Sequence, residues 1–589
     1  MSGVELVLAF VKIAIVLLFL LNMAAIATWA DRRQSAMIQD RVGPNRAVAM
    51  LPNMVARALV FAPALLLGGL ALLLFFRWFP PRAALERLQW ALQLAVLVGW
   101  FTLMVLCGTV RRSGAINRGE QWLEDIDPRS FFFGGVALHV LVFAAARLVP
   151  RDAAPVAAVV AGGLLWTVVA CSGFYAAARI PDGPVPLRLA GLLHAAADAV
   201  KLFMKEDFVP KNADRLLHGL APIIALFPAL VTFAIIPFGD KLCFADGGTK
   251  GVFDWSDLGR LVSEMPADYQ CTGHTVSLQI ADLNVGILYL FAMAGTGVIG
   301  AAIAGWASDN KFALLGGLRA ASQMVSYEVA MGLSLVGLFM IYGTVRLGPM
   351  VDWQNANAWG IFVQPVAFFL FLTALAAEGK RVPFDQPEGE SEIVAGYFVE
   401  YSGMKFGMFF TGEYIELITS SALLCTLFLG GFSLPFLQRD GILVAFGDTT
   451  FFQFKMTHLA VSLMSFVAFF AKTILVVWVQ IFFRWTLPRF RYDQLMKIGW
   501  TKLLPLSIAN LLVTGIVLLA LGSSSPSTLA TMQLLGDVTK AIITLLALAA
   551  LVALIAGLLE PVSRQRFLRS TTARFAAAAG GTRASAQQA

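Results

Sequence analysis

Apolar runs of about 20 residues, the length a helix needs to cross a bilayer, recur along the whole chain. They fall at 4–30, 55–76, 90–110, 131–148, 156–178, 216–236, 285–304, 324–342, 359–377, 406–428, 459–483, 503–521 and 534–559. The pattern predicts an all-α fold: a polytopic transmembrane helical bundle of about 13 transmembrane helices. The weakest runs are 131–148, which is short, and 406–428, which carries Glu413 and Glu416 three residues apart on one helix face. The first run is too long for a signal-peptide core and leads into Asp31, Arg32 and Arg33, so it reads as a retained helix.

Composition narrows the class. Of 589 residues, 58% are hydrophobic and 14% charged, which excludes soluble, disordered and fibrous chains. Lys and Arg outnumber Asp and Glu by 44 to 37; in a membrane protein this excess reflects loops beside anionic lipid, and no basic patch interleaved with aromatic residues points to nucleic acid. With the N-terminus outside, the loops placed inside hold more basic residues, in total and per residue, and a basic string at 564–569 follows the last run. The expected topology is therefore that of a multi-pass protein with its N-terminus outside and its C-terminus cytoplasmic. The five cysteines include no CxxC pair and suggest no zinc site; Cys243 and Cys271, on a long outside loop, could be bridged or separate. Beyond Glu560 the Ala/Gly/Ser/Arg-rich tail lacks the apolar residues to order itself.

Four inside strings carry the candidate chemistry. QDRVGPNR (39–46) crowds arginines around a Gly-Pro-Asn turn. ADAVKLFMKEDFVP (197–210) has the spacing of an amphipathic helix on the membrane surface, with Asp198 and Lys201 one turn apart and Glu206 near its end. The string 305–329 runs from a polar turn into a span with Glu328 near its inner end, and an ionisable group at that depth is a functional candidate. The string 377–406 places Glu378, Asp385, Glu388, Glu390, Glu392 and Glu400 between two spans, with Lys380 and Arg381 as counter-charges. Crowded carboxylates in a partly dry site share protons, as a proton relay or redox-coupled switch requires. Each string also has a plainer reading, as a solvated turn, an interfacial helix or a solvated acidic loop. Lys472, inside 459–483, fits either a polar thread continuing from Glu413 and Glu416 or simple packing. His458 reads as a span-end residue, and His139, His194, His218 and His274 are too scattered for a metal site. No P-loop, dinucleotide fingerprint or iron–sulfur or haem ligand set is present, so no metal and no redox cofactor bound by this chain alone is expected.

These strings, in this order, closely resemble the family of membrane H subunits of proton-pumping NADH:quinone oxidoreductase, respiratory complex I. The resemblance rests on DRVGPNR (40–46), ADAVKLFMKE (197–206), GWASDNKF (305–312), LRAASQMVSYE (318–328), RVPFDQPEGESE (381–392), EYSGMKF (400–406) and LPRFRYDQLM (487–496). It implies an eight-span core that anchors the peripheral arm and forms the membrane end of a quinone chamber. Quinone would be the substrate, held at the interface with peripheral-arm quinone-site subunits; antiporter-like membrane subunits and membrane lipid would be the other partners. Carried over residue by residue, Arg32, Arg41, Arg46, Asp198, Lys201, Arg319 and Arg381 would serve quinone binding. Glu206, Glu328, Glu378, Asp385, Glu388, Glu390, Glu392, Glu400 and Glu413 would form the proton relay that couples quinone reduction to pumping.

The chain departs from the family pattern in length. Residues 1–47 hold the first core helix and its loop, 48–193 an inserted segment of four spans, and 194–523 the remaining core with the amphipathic helix and acidic loops. An extra helix follows at 524–560 and a tail at 561–589. The insert's even number of spans returns both flanking strings to one side. Two other functions fit a bundle of this kind. One is the equivalent anchor of a membrane-bound, hydrogenase-type ion pump, which the acidic EGESE string (388–392) and the GPN turn disfavour. The other is a free-standing secondary transporter, which the lack of an internal repeat disfavours.

Overall fold

The computed structural model describes residues 3–39, 49–52, 185–187, 191–245, 273–446 and 449–522, with scattered positions among 43–47, 253–271 and 536–549. The chain clusters into two compact units, Met1–Pro44 with His194–Ala547, and Asn45–Leu193 with Leu548–Ala589. In the second unit, β1 (Ala49–Leu51) pairs antiparallel with β2 (Val185–Leu187). The spans expected at 55–76, 90–110, 131–148 and 156–178 lie outside the described residues, as does most of 534–559.

The first unit is a helical bundle. Among the described residues, six helices are long and apolar enough to cross a membrane: Gly3–Ile38, Arg215–Ile235, Gly286–Ala307, Lys311–Tyr342, His458–Thr486 and Tyr492–Gly522. The 36 residues of α1 (Gly3–Ile38) give a rod of about 54 Å, well beyond a hydrocarbon core of about 30 Å. After it come α2 (Leu193–Met204) and α3 (Arg215–Thr232), whose first turn is capped by Asp214 accepting from the backbone of Leu216 and Leu217. Next, α4 (Gly286–Ala307) leads through Asn310, an N-cap, into α5 (Lys311–Tyr342), which ends at Gly343 in the left-handed conformation that lets the chain turn away. Its buried face packs against α4, against α8 and against the last helix, so α5 is the centre of the bundle.

Around α5 run α6 (Leu347–Ala356), α7 (Gly360–Val363) and α8 (Pro365–Glu378). The span expected at 359–377 is thus broken at Gln364, where Pro365 supplies no N–H to continue the helix. At the break the Gln364 side chain donates to Thr514 Oγ1 at 2.7 Å and accepts from Asn510 at 3.0 Å, which ties this point of the chain to the last helix. The short α9 (Glu390–Ile393) follows, then α10 (Gly403–Phe428), the most deeply enclosed helix, α11 (His458–Thr486), α12 (Tyr492–Ile498) and, after one π turn, α13 (Leu504–Gly522).

The two ends of this unit differ. At one, β3 (Leu242–Phe244) and β4 (His274–Val276) form an antiparallel pair stapled by a disulfide between Cys243 and Cys271. Cys243 N donates to His458 Nε2 at 3.2 Å, and Arg439 bridges Asp240 and Asp352, each at 3.0 Å. Here too β5 (Leu437–Gln438), β6 (Gly441–Phe446) and β7 (Thr449–Lys455) form a small antiparallel sheet. These sheets add to the all-α expectation; the loops carry β-branched and aromatic residues, as in TTFFQFK (449–455), which suit a half-buried strand. At the opposite end the acidic loop folds back on α5. Backbone meets backbone there: a Cβ on Gly316 would lie 2.6 Å from Gly396 Cα, and one on Gly396, at φ +56°, would lie 1.6 Å from the Pro387 carbonyl oxygen. Gln323 of α5 completes the seat by donating to the carbonyls of Ala377 (2.6 Å) and Phe384 (2.7 Å).

Candidate functional site

The acidic loop and the helices beneath it bring together four of the expected carboxylates. Glu378 ends α8, Glu413 sits about three turns into α10, Glu328 projects from α5, and Glu388 lies in the loop. Glu378 lies within electrostatic reach of Glu416, Glu328 and Lys380, and Glu413 within reach of Glu388, Arg381, Lys380 and Glu416. Lys380 Nζ pairs with Glu416 at 3.7 Å, and Tyr397 donates to Glu413 at 3.4 Å. Lys380 and Glu378 are buried, and Glu413 is 8% exposed. Burial works against the charged form of Lys380, yet Glu416, Glu413, Glu378 and Glu388 outweigh it and hold its pKa above the ordinary lysine value. Burial, followed by the charges of Glu413, Glu388 and Glu416, pushes the Tyr397 phenol well up.

Arg381 borders this cluster. Its guanidinium lies 4.0 Å over the Tyr414 ring, while its Nε and Nη1 are buried and meet no acceptor among the described residues. Tyr414 donates to Asp31 of α1 at 2.8 Å, and Asp31 also accepts from Arg484 Nη1 and Trp485 Nε1, both at 2.6 Å. Glu328 Oε1 is likewise buried with no hydrogen-bond partner among the described residues and faces the open side of Gly295 on α4, where a Cβ would stand 3.5 Å away. A file of polar groups therefore runs from Arg484 and Asp31 through Tyr414, Arg381, Glu413 and Lys380 to Glu416, Glu378 and Glu328.

The other expected residues lie elsewhere. Asp385 pairs with Arg489 at 2.6 Å, which fastens the loop to the segment before α12. Arg319 pairs with Glu392 at 2.7 Å on the surface, and Arg32 with Asp198 at 2.7 Å. Both Arg32 and Asp198 are well exposed, so the pair adds little stability. Glu400 accepts from the Asn310 side chain at 2.7 Å, a bond that ties the loop to the start of α5. Lys201 and Glu206 are exposed on and just beyond α2, a helix with no buried residue, whose Val200, Phe203 and Met204 form an open apolar face. Arg41 and Arg46 lie outside the described residues, as does the side chain of Glu390. Lys472 does not join the file: its ammonium donates to the carbonyls of Leu429, Gly431 and Ser433 and lies 4.3 Å over Trp359, toward the disulfide end.

Sequence reasoning passed over Asp31, Tyr414 and Arg484 as site residues. Asp31 reads as part of a charged helix flank and Arg484 as a basic span end, and only the crossing of α1 with α10 and α11 brings them together. Glu416 carried a signal, its spacing from Glu413, and the structure places it beside Lys380. Among the described residues, no group of three or more His, Cys, Asp or Glu side chains could hold a metal ion.

The fold and this site define a multi-pass membrane protein with a buried, carboxylate-rich polar file under a folded-back loop. The family model described as NADH dehydrogenase matches residues 153–515, more than half of the chain, and the chain belongs to that family. It is 40% identical over 329 residues to a NADH-quinone oxidoreductase H subunit of Cytophaga hutchinsonii, covering 56% of this chain and 84% of that protein. With an H subunit of the same name from Geobacter metallireducens it shares 43% identity over 344 residues, 58% of this chain and 88% of that one. With the H subunit of Flavobacterium psychrophilum it shares 42% over 337 residues, 57% and 87% of the two chains.

Proposed function

We propose that this chain is the membrane subunit of a proton-translocating NADH:quinone oxidoreductase that forms the membrane end of the quinone chamber, anchors the peripheral arm and couples quinone reduction to proton movement. The observation that carries the reading is the buried cluster itself. Glu328, Glu378, Glu388, Glu413 and Glu416 outnumber Lys380 and Arg381, so the group cannot hold every carboxylate ionised in a dry setting without large cost. Such a cluster takes up and passes on protons as charge changes nearby. Arg381, with two nitrogens that meet no acceptor among the described residues, and the open face of α2 are suited to meeting a quinone carbonyl and its apolar tail. The electrons would come from a cofactor in a partner subunit; this chain supplies binding, orientation and proton handling. Arg32, Arg41, Arg46, Asp198, Lys201 and Arg319 would line or brace the chamber mouth, and Glu206, Asp385, Glu390, Glu392 and Glu400 would extend the relay toward the peripheral arm.

The disulfide supports an orientation. Val4, at the start of α1, packs with Phe244 and Phe253 beside the stapled strands, and a disulfide persists in an oxidising compartment. The N-terminus would then face outside and the acidic loop the cytoplasm, in a bacterial inner membrane, with the C-terminal tail inside. The 48–193 segment would pack at the lipid-facing edge near the quinone entrance.

Glu413→Gln tests the reading. With the complex assembled, quinone reductase activity is expected to fall at least about tenfold, as loss of a proton-transfer group does. Unchanged quinone turnover and unchanged proton pumping would overturn it.

A further inference from the structure

We infer that Asp31 is the positioning residue for Arg381: through Tyr414 it fixes the guanidinium that borders the carboxylate cluster. This rests on the proposed function of that cluster and adds a residue on a different helix.

The inference starts from an oddity of placement. Asp31 stands on α1 at the end of its long apolar run, where a charge ordinarily meets water, yet it is only 5% exposed. A buried carboxylate is tolerated when every oxygen is engaged. Here both are: Oδ2 accepts from Tyr414 (2.8 Å) and Arg484 (2.6 Å), and Oδ1 accepts from Trp485 (2.6 Å). These donors come from α10 and α11, so one side chain locks three helices at the acidic-loop end.

Tyr414 is the link to the chemistry. Its hydroxyl is held by Asp31 while its ring carries Arg381 at 4.0 Å, so the angle of the ring sets where the guanidinium lies. The Nε and Nη1 of Arg381 meet no acceptor among the described residues, which leaves the Tyr414 ring and the charge of Glu413 as the described contacts of its guanidinium. Phe410 packs edge-on against the same ring at 5.0 Å and limits its swing. Arg484 contributes a second effect: it lies within electrostatic reach of Glu388 and Glu413 as well as Asp31, so Asp31 also sets how much of its charge those carboxylates feel.

The test uses the assembled complex in native membranes, with activity normalised to complex content. In Asp31→Asn the shape is kept, the charge is lost, and Arg484 is released. Turnover with a short-chain quinone is expected to fall about tenfold or more, the scale of a small misplacement of a reacting group. NADH oxidation with a hydrophilic artificial acceptor is expected to stay unchanged, and the KM for quinone to move less than about twofold, since the effect falls on turnover. Asp31→Glu retains the charge and is expected to restore at least half of the turnover, and Tyr414→Phe, which keeps the ring under Arg381 but cuts the bond to Asp31, is expected to fall between. Equal losses in Asp31→Glu and Asp31→Asn, or full quinone turnover in Asp31→Asn, would overturn the assignment. Arg381→Gln separates the two levels. If it and Glu413→Gln both leave quinone turnover intact, the proposed function of the cluster fails; if they lower it and Asp31→Asn does not, the positioning role alone fails.

Discussion

Replacing Lys380 by Met removes a cation from the most crowded part of the site without opening a large cavity. At 3.7 Å from Glu416 and an effective dielectric of about 20, the lost attraction is about 4–5 kcal/mol for that pair alone. Glu413, Glu378 and Glu388 add to it, and the desolvation of the ammonium, which no longer has to be overcome, offsets part. A buried pair broken on one side typically costs about 3–5 kcal/mol. The cluster has an escape, however: it can bind one more proton. The destabilisation is therefore expected to depend on pH, growing by up to about 1.4 kcal/mol per unit between pH 6 and 8. The wild-type protein shows no such slope from this group. The folded pKa of Lys380 is raised, so its stabilisation is fully present below the unfolded value near 10.5 and is lost only as pH rises through the higher folded value. Heat-inactivation midpoints of the purified complex at pH 6, 7 and 8, for wild type, Lys380→Met and Lys380→Arg, measure the effect. A loss in Lys380→Met that is the same at all three values, or no loss at all, would refute the reasoning.

Two further outcomes follow from the opposite end of the bundle. Reducing the disulfide between Cys243 and Cys271, which lie 28 residues apart, is expected to loosen that loop by about 2–4 kcal/mol; the freed thiols should then react with a membrane-impermeant maleimide from outside only, and labelling only from the cytoplasmic side would reverse the proposed orientation. Lys472→Met leaves the carbonyls of Leu429, Gly431 and Ser433 without their donor and should destabilise the protein by about 3 kcal/mol, read as a lower heat-inactivation midpoint, while quinone turnover per assembled complex stays at the wild-type level. A fall in turnover would put Lys472 back on the proton path.

Much of the bundle was legible because apolar length is a strong signal. The described runs at 4–30, 216–236, 285–304, 459–483 and 503–521 each became a helix crossing the bundle, and 324–342 extended back to Lys311. Gln364 and Pro365 carried the signal for the break in 359–377, but the bonds of the Gln364 side chain to Thr514 and Asn510 depend on packing between helices about 150 residues apart in sequence. The carboxylates of the site were visible as a crowd, since ionisable residues beside membrane spans are conspicuous. Their sorting was not. Asp385, Glu392 and Glu400 read like Glu378 in the sequence, yet each has its own partner, Arg489, Arg319 or Asn310, outside the buried cluster. Asp31 remained hidden because a charge at the end of an apolar run is what any helix flank looks like.

The direct contact of main chain with main chain at Gly316 and Gly396 has an evolutionary consequence. A loop seated by glycine backbones, and held besides by Gln323, Asp385 and Glu400, leaves its remaining acidic side chains free to be exchanged without dislodging it. The site can thus be retuned, one carboxylate at a time, to a quinone of different potential or a membrane at different pH. A lineage that lost either glycine would have to reinvent the loop's seat before it could adjust anything else.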